Sequence, residues 1–380
     1  MFWINFLHFY QPLNIESTKI KEATEKCYQR VIRGLEENKT IKFTLNISGC
    51  LLIRLEEGGY FELLKKTKTL INEGRIELVG SNAYHTILPL TPKEEIIRSV
   101  KENEAIIKKF FGNIKLKGFY FPEMAINQET IKTIKELGYE WTILDPISTS
   151  EKIHPENIYQ DKYSELKIIF RNHRFSRTYA PDLLQNLPKD FKQTIITATD
   201  GELYGLRHED PTGEFENILK KPNLRTMTIS EYLNKQATKP INIRPSSWES
   251  TERELKRNLP YVLWYNPKNE IHLKLWALTG LIYYAYKNYQ NDKEIYWMRW
   301  HMVRGIASCT YWWASGKNFK EHFGPIAWGP DDILRGANEL IRAIRCIHNK
   351  KSIKLKLKAE KIYNELCGII WNTHWKKQIQ

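Results

Sequence analysis

Two acidic residues in this chain each close a short run of β-branched and aromatic residues. Glu123 follows Lys115 to Pro122 in the segment Gly118-Phe-Tyr-Phe-Pro-Glu-Met-Ala125, and Asp200 follows Thr194 to Thr199 in Thr199-Asp-Gly-Glu202. A carboxylate at the C-terminal end of a parallel strand is placed for chemistry more than for stability. Two of them, from strands far apart in sequence, suit a glycosidic bond: one attacks, and the other gives and later takes a proton. Strand-end acids also cap helices and turns, so the pair alone leaves both readings open.

Other reactive devices are missing from the sequence. No Gly-x-Ser-x-Gly elbow supplies a nucleophilic serine. His8, His85, His173 and His208 are solitary and form no HxH or HExxH spacing, so a metal site is weakly supported. The five cysteines are odd in number, far apart and without a CxxC pair, which suits buried thiols in a reducing compartment. No Gly-rich phosphate loop follows the first strand-like run. Neither a metal nor another cofactor is expected.

The elements that position the acids follow from hydrophobic period. Strands are expected at Phe2–Phe9, Ile41–Ile47, Arg75–Gly80, Lys115–Phe121, Trp141–Leu144, Leu166–Arg171 and Thr194–Thr199, with helices at Ser17–Glu37, Leu51–Asn72, Pro92–Phe111 and Gln128–Leu137. Alternation of strand and helix means an α/β fold with a parallel sheet. Seven strands with reactive residues at their ends fit a distorted seven-stranded (β/α)7 barrel over residues 1–250. Its expected rim carries His8 with Gln11, Asn46 with Ser48, Ser81 with His85, then Glu123, Asp145, Arg171 with Asn172 and His173, and Asp200 with Glu202. Capping accounts for some Ser, Asn and Asp, but it does not call for His, Glu and Arg.

Beyond Trp248 the strand pattern fades. Amphipathic helices are expected at Glu270–Gln290, Lys293–Ser308, Asp331–Asn349 and Leu355–Asn372, giving a C-terminal all-helical domain over 251–380. The Gly/Pro-rich stretch Phe323–Pro330 reads as an ordered loop carrying Trp328.

The chain has 380 residues and a net charge of +14, from 58 Lys and Arg against 44 Asp and Glu. The lysines alternate with Glu along helical segments such as Glu62–Ile71, the pattern of solvated faces, so no nucleic-acid partner is expected. No apolar stretch reaches membrane-spanning length, and Met1–Tyr10 lacks the features of a signal peptide. A cytoplasmic location without membrane association is expected.

In this setting the chain resembles glycoside hydrolase family 57, retaining α-glucan-active enzymes of the α-amylase and 4-α-glucanotransferase type. His8-Phe-Tyr-Gln-Pro12 is similar to the family's HxHQP, with Tyr10 where the second His usually stands. Gly74-Arg-Ile-Glu-Leu-Val79 with His85, Phe119-Tyr-Phe-Pro-Glu-Met-Ala125 and Thr199-Asp-Gly-Glu-Leu-Tyr-Gly205 resemble further family regions. Ser247-Trp-Glu249, Trp264 and Tyr311-Trp-Trp-Ala-Ser315 resemble the segments that wall the sugar groove. The resemblance implies a (β/α)7 barrel with a helical domain, Glu123 as nucleophile and Asp200 as general acid/base. It also implies His8, Gln11, Glu77, His85 and Glu202 as sugar-binding residues on an α-glucan or maltooligosaccharide. Arg171, Trp248, Trp312 and Trp313 join them as expected substrate contacts, the tryptophans as stacking platforms or equally as core. A retaining mechanism requires carboxyl groups about 5–5.5 Å apart. Asp200 must carry a proton when the bond breaks, which a neighbouring Glu123 and partial desolvation would favour. The competing readings are a metal-dependent carbohydrate deacetylase on a similar barrel, and a non-catalytic glycan- or nucleic-acid-binding protein.

Overall fold

The computed structural model describes residues 2–188, 191–234, 237–316 and 327–378. Residues 323–326 of the expected Gly/Pro-rich loop lie outside them, while Trp328 is described and buried. Chain contacts divide the protein into two units: one runs to Ala83 and resumes over Leu88–Trp248, and the other combines Tyr84–Ile87 with the chain from Glu249 onward.

The first unit is built on strands β1 (Phe2–Phe9), β2 (Phe43–Ile47), β3 (Ile76–Leu78), β4 (Gly118–Phe119), β5 (Trp141–Leu144), β6 (Ile158–Asp161), β7 (Lys167–Phe170), β8 (Thr194–Asp200), β9 (Arg225–Thr226) and β10 (Thr238–Ile241). All seven expected strands are among them, as β1 to β5, β7 and β8. Pairing yields two sheets and not one closed ring: β3-β2-β1-β8 with β9 beside β1, and β10-β6-β7-β5-β4. Isolated backbone bonds reach across at two places. Gly80 N–H donates to Gly118 O and Tyr120 N–H to Gly80 O, both at 2.8 Å, and Asn172 N–H donates to Ile196 O at 2.6 Å.

The arrangement is also not wholly parallel. β6 runs antiparallel to β7 through a tight turn at Glu165 (φ +60°). β10 lies at a sheet edge, where Pro240 has no ladder N–H to forfeit. The expected helix Leu51–Asn72 is two helices, Gly49–Glu57 and Phe61–Asn72, because Gly58 and Gly59 (φ +76°) turn the chain between them.

β1 is buried along almost its whole length, as a central parallel strand must be. Its residues alternate between two apolar clusters. Trp3, Leu7 and Phe9 pack with Val31, Leu35 and Phe215 among the covering helices, while Ile4 and Phe6 join Ile143, Ile169, Ile196 and Ala198 in another core. Continuing the second set by two residues along each strand reaches His8, Asp145, Arg171 and Asp200. The polar side chains at the strand ends are therefore extensions of core-facing rows. Among the described residues no helix is long and apolar enough to cross a membrane.

The second unit is helical: Glu270–Asn288, Ile295–Gly305, Ser308–Trp312, Pro330–Arg345 and Ile353–Gln378 are its longer and central elements. Asn269 caps the first by accepting from the N–H groups of Ile271 and His272. Leu275, Leu278, Ile282, Met298, Met302, Leu340, Ile341, Ile344, Leu366 and Ile370 are buried along these helices. Trp276 stacks on Tyr311 at 4.3 Å, and the Tyr311 hydroxyl shares a 2.6 Å hydrogen bond with Thr279.

Candidate active site

Parallel register sets one level of the first unit: His8 of β1 lies beside Asn46 of β2 and Asp200 of β8. His8 Nδ1 meets Asn46 Oδ1 at 2.8 Å, and its ring lies between Tyr10 (5.7 Å, near parallel) and Tyr120 (4.5 Å). Burial lowers the His8 imidazole to about 4, against the opposing influence of Asp200. The ring is therefore neutral at neutral pH. With a proton on Nδ1 for the Asn46 oxygen, Nε2 is the acceptor nitrogen, a form suited to a hydroxyl.

Glu123 stands in a 3-10 turn, Pro122–Met124, in the left-handed region (φ +59°), followed by Met124 at φ +46°. Such backbone is uncommon for residues with a Cβ and persists where surroundings hold it. Trp248 does so twice: its backbone N–H donates to Glu123 O at 3.1 Å, and its indole Nε1–H donates to Glu123 Oε2 at 2.9 Å.

Asp200 ends β8 and is one-fifth exposed at its side chain. Its Oδ2 accepts from Arg207 Nη1 at 2.6 Å. The neighbour found at this carboxylate is thus a cation, where the sequence had suggested only Glu123 and desolvation. The Arg207 guanidinium is held above its ordinary range first by Asp200, and also by Glu202 and Glu123. Tyr120 is raised by burial and then by the charges of Glu123 and Asp200. Both acids therefore act on the same two side chains. The Tyr120 hydroxyl is buried and meets no hydrogen-bond acceptor or donor among the described residues. It is a polar group placed beside His8 and both acids.

The glycine between Asp200 and Glu202 is required by close approach. A Cβ at Gly201 would lie 2.4 Å from the Phe9 ring, below any ordinary contact. Gly201→Ala should force Phe9 or the Asp200 backbone to move, costing about 1–3 kcal/mol. Thermal melting together with kcat/KM checks this; unchanged values for both would refute the packing argument.

Glu202 points into the protein. Its Oε1 accepts from Gln11 Nε2 at 3.0 Å and from the Tyr28 hydroxyl, and burial raises its carboxyl above the usual range. The following loop is secured by Asp210, which accepts from Arg30, Tyr179 and the N–H groups of Glu214 and Phe215 at 2.6–3.1 Å.

Several expected contacts are placed differently. Glu77 sits beside Thr44, two residues below the His8 level, and accepts from the Thr44 hydroxyl (3.2 Å) and Ser230 N–H (3.1 Å). Its carboxylate ties a strand to the helix Ile229–Leu233 and is not brought to the strand ends. Arg171 is 5% exposed and Asp145 1%. Arg171 Nε donates to Asp145 Oδ2 at 2.7 Å and Nη1 to Ala198 O at 2.9 Å, so this guanidinium supports the rim from beneath. Trp248 is 9% exposed, with Arg171 centred 5.0 Å from its ring. His85 belongs to the second unit, where its Nδ1 meets Ser308 Oγ at 2.8 Å. Trp312 and Trp313 also lie there, half-buried and edge-on to each other at 4.7 Å.

Tyr28, Tyr120 and Arg207 were not singled out from sequence. Arg207 alone left a signal, a cation seven residues after Asp200 in the same loop. Among the described residues no group of three or more His, Cys, Asp or Glu could hold a metal ion.

The structure thus places Glu123 in the turn after β4 and Asp200 at the end of β8 on an α/β framework. The family model of glycosyl hydrolase family 57 matches residues 4–244, and the chain belongs to that family. It is 28% identical over 290 residues to an α-amylase of Pyrococcus horikoshii, covering 67% of this chain and 45% of that protein. It is 25% identical over 300 residues to a 4-α-glucanotransferase of Thermococcus litoralis, covering 68% of this chain and 44% of that one. The chain thus spans about half the length of these curated relatives. Among solved structures, a family 57-type branching enzyme of Pyrococcus horikoshii aligns with a TM-score of 0.68 at 15% identity, covering 96% of this chain and 94% of that one. At that identity the likeness concerns the fold.

Proposed function

We propose that this protein is a retaining glycoside hydrolase or transglycosylase acting on α-1,4-linked glucan through a covalent glycosyl-enzyme. The observation that carries the reading is Glu123, held by the Trp248 indole in the turn after β4, together with Asp200 at the end of β8. The relatives named α-amylase and 4-α-glucanotransferase support the substrate class. In the same reading β1 to β5, β7 and β8 are the staves of a distorted (β/α)7 barrel, with Gly80 and Asn172 bonded across its two seams.

Asp200, protonated, donates to the departing glycosidic oxygen as a Glu123 oxygen attacks the anomeric carbon. The electrons of the broken bond stay on the leaving oxygen, which takes the proton. Asp200 then removes a proton from water or from a sugar hydroxyl as that oxygen displaces Glu123. The Arg207 contact suits Asp200 as a carboxylate, its form in the second half of the cycle. In the first half the leaving oxygen takes over Arg207's place at Oδ2. Neutral His8 accepts from a sugar hydroxyl.

The test is product analysis from maltooligosaccharides. Retention predicts that the α-anomer forms first, read by proton NMR, and transfer predicts products longer than the substrate. First release of the β-anomer would sink the mechanism. Turnover should also survive exhaustive EDTA treatment, because two carboxylates suffice for the chemistry. Loss restored by added zinc would favour a deacetylase-type enzyme.

A further inference from the structure

We propose that Trp248 is a catalytic residue, holding the Glu123 carboxylate through its indole N–H, and that Arg171 is a positioning residue acting through the Trp248 ring. The inference rests on Glu123 being the nucleophile and says what holds it for attack and release.

Trp248 grips residue 123 at both the backbone carbonyl and Oε2. Fixing one carboxylate oxygen fixes the rotation of the whole group about its last bond. Glu123 occupies left-handed backbone and so depends on such external bonds. A sugar platform needs an open ring face. Trp248 instead is 9% exposed, with Arg171 5.0 Å from its ring centre and Tyr120 edge-on at 6.2 Å.

Arg171 joins three places with one planar group. Its Nε bonds to Asp145 after β5, its Nη1 bonds to the Ala198 carbonyl two residues before Asp200, and its carbon lies over the indole that holds Glu123. The supports of the nucleophile and of the acid/base strand therefore meet at one buried guanidinium. Lysine has no fork with which to make these contacts together.

The chemistry gives the indole bond a direction. Glu123 is anionic before attack, loses its charge on becoming an ester, and regains it when the sugar leaves. An N–H donor is stronger toward the charged form. Losing it should slow release of the sugar as well as disturb the aim of attack.

The experiment uses the full chain and α-maltosyl fluoride, whose leaving group needs no acid. Trp248→Phe, which keeps a ring against Arg171, should lower kcat about 10–100-fold, the range for losing a hydrogen bond to a charged group. KM should fall with kcat, and a covalent maltosyl adduct on Glu123 should accumulate, seen by mass spectrometry. Arg171→Lys should shift both constants in the same direction. If Trp248→Phe does not fold, a benzothienylalanine at 248 removes the N–H while preserving the ring's shape. Unchanged kcat, or a raised KM at constant kcat, overturns the proposal and makes Trp248 a spacer or a sugar contact. Activity in Glu123→Gln would instead sink the parent mechanism. An inactive Glu123→Gln with normal Trp248 kinetics sinks only this inference.

Discussion

Glu123→Gln lowers kcat on maltooligosaccharides by about ten-thousand-fold or more, the scale on which removal of a covalent nucleophile is felt. The substitution replaces an anionic attacking oxygen with an amide of nearly the same shape. A Gln carbonyl can still accept from the Trp248 indole, so the bond that organises the turn persists. The left-handed backbone at this position is shared by both side chains. The melting temperature should therefore change little, and affinity for glucan should be retained. Steady-state kinetics, circular dichroism melting and glucan binding by calorimetry check the three statements. Near-normal turnover with a folded variant would remove Glu123 from the mechanism.

Asp200→Asn separates the two halves of the cycle. On unactivated glucan the loss of proton transfer should lower kcat/KM by about a hundred- to ten-thousand-fold. With α-maltosyl fluoride the first half proceeds without an acid, while the second lacks its base. A covalent sugar should then build up, and peptide mass mapping should place it on Glu123. Asparagine keeps an oxygen for Arg207, so the loop at Arg207 keeps its contact while its ionic strength is lost. A label on another residue, or equal losses on both substrates, would contradict the assignment of roles.

The placement of the two acids after strands was readable because its signals are local. An aromatic run shortly before Glu123 and a β-branched run ending at Asp200 mark strands through backbone preference. Gly201 records a close approach to Phe9 that a Cβ could share only if the ring or backbone moved. Asp145 and Asn172 do cap the turns that follow them, as Ser, Asn and Asp at such places are suited to do.

What could not be read depends on partners distant in sequence. The Trp248–Glu123 bond spans 125 positions and the Glu77–Ser230 bond 153, so nothing in either neighbourhood reports them. His85, four residues after Ser81 in sequence, belongs with Ser308 of the helical unit, because the chain passes briefly into that unit at Tyr84–Ile87. β6 and β10 were missed because Gln160 and Asp161 in the one, and Lys239 and Pro240 in the other, interrupt the apolar pattern. By itself the sequence determined seven of the strands and the glycine after Asp200. Tertiary structure alone decided which polar side chains reach the strand ends and which are used up as supports. The physical reason is that a buried charge must find its counterpart, and only folding brings Arg171 to Asp145 and Glu77 to Thr44.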